Sequence, residues 1–371
     1  MSVNATAPLL ALLSAACFAA ARRGPVRQEL DWPVYLGTPR HDASATETLN
    51  PDPRLQWRVT PGRAIRGSPA LGEAVLAVGT TDHDVVLIDR ATGEVLWREG
   101  VDGSVRGGPL LDEDRLYVAI EGEPEGRVSA LRLRDGEPLW RRAFPSVAAP
   151  LAFDGAALYA GAEDGTVARL DADSGRIVWR RALPGAVRAA PVPTPHGLAV
   201  ATTADTLFLL DPTDGQVRAR LATPGAVLGS PASDGERLYA GTVTGTVLAI
   251  QLSDFTVAWQ HAAGDAVYGA PALAGDTLYV LARNGRLWLI PVHAPHDADS
   301  HALGIVATAG PTPLVTGVLV GSVEGEVLLV DRSTGAILWR AEVTGPVEEP
   351  PLVRDRQVVV ASGQGNIQAY R

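Results

Sequence analysis

The chain has 371 residues, 46% of them hydrophobic and 20% charged, which is enough apolar material for a large core and too little charge for a disordered chain. Its formal net charge is −10 and every cation is arginine, with no lysine. That balance argues against a phosphate-backbone partner, so no nucleic acid is expected.

At the N-terminus an apolar run from Pro8 to Ala16 precedes Cys17, the single cysteine. Its length and small-residue end read as an export signal. The residues around Cys17 resemble a bacterial lipobox, although Ser14 stands where that motif usually has Leu and no basic residue precedes Pro8. The resemblance implies a periplasmic protein tethered by a lipid on Cys17, and Phe18 rather than Asp after it implies the outer membrane. A signal peptide cut near Ala19-Ala20-Ala21 and an uncleaved anchor stay open as alternatives. The membrane is expected to be touched only through that lipid or anchor. Residues 1–21 are thus taken as the leader, 22–53 as a linker with an ordered leader segment containing Trp32, Tyr35 and Gly37, and 54–371 as the folded domain.

From there the chain repeats. Asp171–Pro191 is a full copy: a turn through Gly175, a strand holding Ile177 and Trp179 on one face, a Pro184-Gly185 turn, and a small-residue strand closed by Pro191. The closing proline recurs at Pro69, Pro109, Pro150, Pro191, Pro231, Pro271, Pro313 and Pro351, every 38 to 42 residues. Tyr117, Tyr159, Tyr239 and Tyr279 share one place in the repeat, and Trp57, Trp97, Trp140, Trp179, Trp259 and Trp339 another. Eight equivalent units of about forty residues, each with room for four strands, predict an all-β, eight-bladed propeller of four-stranded antiparallel blades. Trp57 has no complete repeat before it, and the chain ends after the strand containing Ile367. The eighth blade is therefore expected to take its outer strand from Leu55–Val59 and the other three from the C-terminus, which leaves no open sheet in the ring.

Two blades depart from the pattern. Ala219 replaces Trp in the fourth, and the sixth has neither Trp nor Gly in that hairpin but a loop with His293, His296, Asp297, Asp299 and His301. Those histidines match no standard metal spacing, and an exposed loop is expected. Phe255 stands where other turns have Gly, which predicts a different turn geometry there.

The runs Asp89–Trp97 and Asp331–Trp339, of the form D-x-x-T-G-x-x-x-W, resemble the PQQ-like (pyrroloquinoline quinone, quinoprotein-like) β-propeller repeat over residues 31–371. In layout the chain is most similar to the BamB-type outer-membrane assembly lipoproteins. That resemblance implies a non-catalytic exported scaffold, monomeric, binding protein or peptide partners at the cell envelope. The alternative within the superfamily is a PQQ-binding oxidoreductase with a Ca²⁺ ion, in which a Cys pair lies over the cofactor. Cys17 alone cannot form that pair, so no cofactor, no metal and no catalytic residue is expected. An extracytoplasmic ligand sensor is a third reading.

Two or three residues before each closing proline, aligning on the first Pro of the last two blades where needed, lie Arg66, Arg106, Ala148, Arg188, Leu228, Tyr268, Thr308 and Glu349 or its neighbour Glu348. The two positions nearest the proline are nearly always Gly, Ala or Ser, as crowding at a propeller axis requires. The variable set is expected to meet at the central channel. Arg66, Arg106, Arg188, Tyr268, Glu348 and Glu349 are then the candidates for binding a carboxylate or an extended peptide, or for bracing the ring by pairing with one another.

Overall fold

A computed structural model describes residues 46–122 and 125–371. The leader, Cys17 and the Trp32 segment lie outside the described residues. Eight four-stranded antiparallel sheets follow one another around an axis. Blade 1 runs from Ala70–Leu71 at the axis through Val75–Gly79 and Asp84–Asp89 to Val95–Gly100 at the rim. Blades 2 to 7 repeat this order, and blade 8 is built from Leu352–Arg354, Gln357–Ala361 and Ile367–Tyr370. Its outermost strand is Leu55–Val59, paired antiparallel to Ile367–Tyr370 with Trp57 opposite Ala369. Ring closure thus follows the sequence expectation. Glu47 reinforces it, its carboxylate accepting from the amides of Asp355 and Arg356 at 3.1 and 3.2 Å.

There is no central core. Eight apolar clusters each bridge two neighbouring blades, one per seam, such as Leu110, Tyr117 and Val128 of blade 2 with Leu158, Ala168 and Leu170 of blade 3. The second strand of blade 1 is accordingly buried along its whole length, because both of its faces meet a neighbouring sheet. Outermost strands alternate exposed and half-buried residues. The repeated tyrosines anchor blades to their own turns. Tyr159 donates to Asp154 at 2.8 Å and Tyr239 to Asp234 at 2.6 Å.

The repeated tryptophan is a latch across each seam. The indole N–H of Trp57, Trp97, Trp140, Trp179, Trp259 and Trp339 donates at 2.8–3.1 Å to a carbonyl of the turn in the following blade: Arg90, Leu133, Ala172, Pro212, Val292 and Pro53 in that order. At four of these seams the ring lies against the turn glycine, and a Cβ built on Gly175 would come within 2.4 Å of the Trp140 ring. Gly175 also holds φ +65°, the left-handed conformation that the bulged hairpin between Arg169 and Leu170 requires. Asp171 fixes the same turn. Its carboxylate accepts from the Ser174 hydroxyl and amide, which holds its pKa below the usual carboxylate value.

The two irregular seams are solved differently. Between blades 4 and 5, Ala219 sits at the Trp register opposite Leu209, and Phe255 occupies the facing turn. Phe255 is buried and packs in one cluster with Leu209, Leu252 and Ala219, so the ring is supplied from the other side of the seam. The expectation of a different turn there is corrected: Phe255 keeps φ +56°, close to the +72° of Gly215, and tolerates the left-handed strain because its ring fills the space a Trp fills elsewhere. Between blades 6 and 7, His301 takes the latch position. Its ring lies against Gly335 and its Nε2 is 3.0 Å from the Arg332 carbonyl.

One element of the register is also corrected. The closing proline of blade 7 is Pro311, not Pro313, because the innermost strand Thr312–Leu314 starts directly after it, as Ala272–Ala274 starts after Pro271. Pro313 lies within the strand opposite Val318. Pro271, Pro311 and Pro351 are then evenly spaced by 40 residues.

Candidate functional site in the central channel

Each blade is reached by a loop that descends from the rim of the previous blade to the axis. The last residues of these loops are small because neighbouring loops touch through their backbones: a Cβ on Gly107 would lie 2.2 Å from the Ala149 carbonyl oxygen. The side chain just before this crowded pair is the first with room to project. Arg66, Arg106, Ala148, Arg188, Leu228, Tyr268, Thr308 and Glu348 all line one axial cavity of about 150 Å³, one from each blade. The sequence-predicted set is therefore brought together. The even proline spacing identifies Glu348 as the ring residue, and Glu349 lines the cavity too, at a position that is Gly or Ala in the other seven blades.

The ring is lopsided. Its arginines occupy blades 1, 2 and 4 with Glu348 of blade 8 beside them, whereas blades 5 to 7 contribute Leu228, Tyr268 and Thr308. On the charged side the channel opens into a mouth of about 590 Å³ lined by Arg66, Arg106, Glu121, Glu163, Arg188 and Glu348, together with Ser146 and Ala148. All three arginines have carboxylate partners. Arg66 pairs with Glu348, as one sequence reading expected, but Arg106 pairs with Glu121 of its own blade at 2.5 Å. Arg188 engages both oxygens of Glu163 in blade 3 at 3.1–3.3 Å. These side chains remain 30–54% exposed, so each pair contributes about 0–1 kcal/mol and can exchange with a competing group.

Glu121 and Glu163 were missed by the sequence reading. Both sit at the turn after the second strand, twelve or thirteen residues past the closing proline, where other blades have Thr81, Thr203, Val243, Arg283, Val323 and Gly363. Their amides bond the carbonyls of Ser104 and Ser146 in the axial loops, which fixes this second ring directly beside the first. Aligning that position along the repeats would have found them.

The histidine loop does not form a site. His293 faces Asp276 at 3.8 Å, His296 faces Asp297 at 3.4 Å, and His301 belongs to the blade 6–7 seam. Among the described residues no three His, Cys, Asp or Glu side chains are grouped to hold a metal ion.

Comparison with known proteins agrees with this architecture. The curated outer membrane protein assembly factor BamB of Burkholderia pseudomallei (strain K96243) is 29% identical over 96 residues, a quarter of this chain and a quarter of that relative. The crystal structure of BamB from Moraxella catarrhalis superposes with a TM-score of 0.72 at 16% identity, covering 86% of this chain and 99% of that one. The quinohemoprotein alcohol dehydrogenase ADHIIG of Pseudomonas putida HK5 superposes with a TM-score of 0.74 at 12% identity, covering 92% and 80%. At such identities the two structures speak for the fold alone. A family model described as outer membrane protein assembly factor BamB matches residues 44–123, 124–218, 192–293 and 298–371, nearly the whole ring, and the chain belongs to that family of PQQ-like propellers.

Proposed function

We propose that this chain is a non-catalytic scaffold of the bacterial cell envelope that binds other proteins during assembly of outer-membrane β-barrels, exported to the periplasm and tethered through Cys17. The observation that carries the reading is the family match along the whole ring. The channel is in keeping with it. PQQ carries three carboxylates, and a group of that kind would have to displace Glu348, Glu121 and Glu163 from arginines they already neutralise. The two carboxylates and the ring hydroxyls offer no clustered donor set for Ca²⁺, which takes six to eight oxygens. Neither feature favours the quinone and its ion over a protein partner.

Affinity capture of the tagged, full-length protein from solubilised envelope tests the reading. Enrichment of β-barrel assembly proteins over an untagged control is the expected result. No enrichment, together with a thermal shift and dye reduction on adding PQQ and Ca²⁺, would instead support the oxidoreductase.

A further inference from the structure

The outer wall of the ring divides into two halves of opposite character. The outermost strands of blades 1 to 4, Val95–Gly100, Pro138–Phe144, Ile177–Ala182 and Val217–Ala222, hold seven arginines and one glutamate. Those of blades 5 to 8 hold two arginines and two acids. In a chain of net charge −10 the first half is a local reversal of sign. It is also apolar. Leu96, Leu139, Val178 and Val217 are 38–43% exposed, and in blades 1 to 3 each stands two residues before an exposed arginine on the same strand face.

Part of this arginine set is structural. Arg142 and Arg181 spend Nε on the turn carbonyls Gly175 and Gly215 of the next blade at 2.8 Å. Arg98, Arg141, Arg180, Arg218 and Arg220 are exposed, although Arg98, Arg141 and Arg218 pair with Asp84, Glu99 and Asp211 at 2.5, 3.6 and 2.7 Å and Arg180 donates to the Ala143 carbonyl at 3.3 Å. Such surface pairs contribute about 0–1 kcal/mol, and with Asp84 and Asp211 counted this half still holds more arginines than acids. Charges on edge strands ordinarily guard against edge-to-edge aggregation. That purpose would apply equally to blades 5 to 8, whose outermost strands are just as open, yet those carry no net positive charge. Edge protection alone does not account for the asymmetry.

We infer that the wall of blades 1 to 4 is a docking surface for an extended acidic segment of a partner protein that runs around the ring across successive rim strands. Charge complementarity sets the sign of the partner, and the interleaved Leu and Val side chains supply apolar contact between the guanidiniums. Curvature sets its form. Four consecutive blades of eight cover half the circumference of a convex wall, so a flat anionic bilayer would meet only adjacent blades, whereas a flexible chain can follow all four. The inference rests on the protein-binding reading above and names the chemistry of the partner.

Fluorescence anisotropy with a labelled ~20-residue peptide of alternating acidic residues and leucines tests it on the full chain. Replacing Arg141, Arg180 and Arg220 together by Gln is expected to weaken binding about tenfold, while Arg58→Gln with Arg340→Gln on the opposite half leaves it unchanged. Lysine at the same three positions should retain binding, and the affinity of the unaltered protein should fall with salt. Equal loss in both Gln variants, a salt-insensitive affinity, or binding to phosphatidylglycerol vesicles in place of the peptide would overturn the inference. If the triple Gln variant binds the peptide weakly yet captures assembly proteins undiminished, the docking surface fails and the scaffold reading stands.

Discussion

The exchange at the blade 4–5 seam lends itself to a double-mutant cycle. At four other seams a Trp faces a Gly, and here Ala219 faces Phe255. Phe255→Gly deletes a side chain only 4% exposed, a loss of about 3–5 kcal/mol for a buried Phe, and recovers about 1–2 kcal/mol by relieving the left-handed backbone at φ +56°. The net expectation is about 1–4 kcal/mol of destabilisation. Ala219→Trp alone forces an indole against the Phe255 ring and should cost about 1–3 kcal/mol. The double variant recreates the common latch and should return to within about 1 kcal/mol of the parent, a coupling of at least about 1 kcal/mol. Urea unfolding followed by far-UV circular dichroism reads all four corners of the cycle without interference from the added indole. Additive single effects would refute the idea that the two residues substitute for the Trp–Gly pair.

Two further outcomes follow from particular positions. Gly175→Ala should destabilise by about 2–5 kcal/mol, adding the left-handed backbone cost to the 2.4 Å contact with Trp140, whereas Gly155→Ala at φ +97° meets nothing within 4 Å and should cost about 1–2 kcal/mol; equal losses in denaturant midpoint would count against the latch. His261 lies edge-on to Trp288 in the blade 5–6 seam, 4.4 Å between ring centres, with Nε2 buried and unpartnered, and burial lowers its pKa from 6.5. The unfolded chain then takes up the proton first, so stability is full above pH 6.5 and declines as pH falls through that value toward the folded pKa. His261→Phe should flatten this slope in unfolding midpoints measured between pH 5 and pH 8, and an unchanged slope would exclude His261 as its source.

The ring was legible in the sequence because each blade repeats the same local solution. Proline spacing, the Tyr and Trp registers and the orphan strand around Trp57 together specify eight blades and their closure, and the small residues before each proline point to the axis. What escaped was whatever the blades do to one another. Phe255 reads as a broken turn until Ala219 is known to lie across the seam, and His301 reads as part of a loop until Gly335 is seen against its ring. Glu121 and Glu163 lie on a different strand connection from the arginines they neutralise, so a search confined to one offset in the repeat could not pair them. Pro313 misled because two prolines flank Thr312, and only the strand register distinguishes them.

The composite eighth blade imposes an order on biogenesis. Thr60 and Asn366 meet across it although they are 306 positions apart. Made from its N-terminus at about 5–20 residues per second, the chain keeps Leu55–Val59 without its sheet partner for roughly 15–60 s, while the intervening blades can already form. A chain cut short of Ile367 would leave only two of blade 8's four strands paired, Leu55–Val59 without a neighbour, and the seam with blade 1 without Ile367 and Ala369. Closure is in effect a check that synthesis has passed Ile367–Tyr370, and its failure leaves an exposed strand edge.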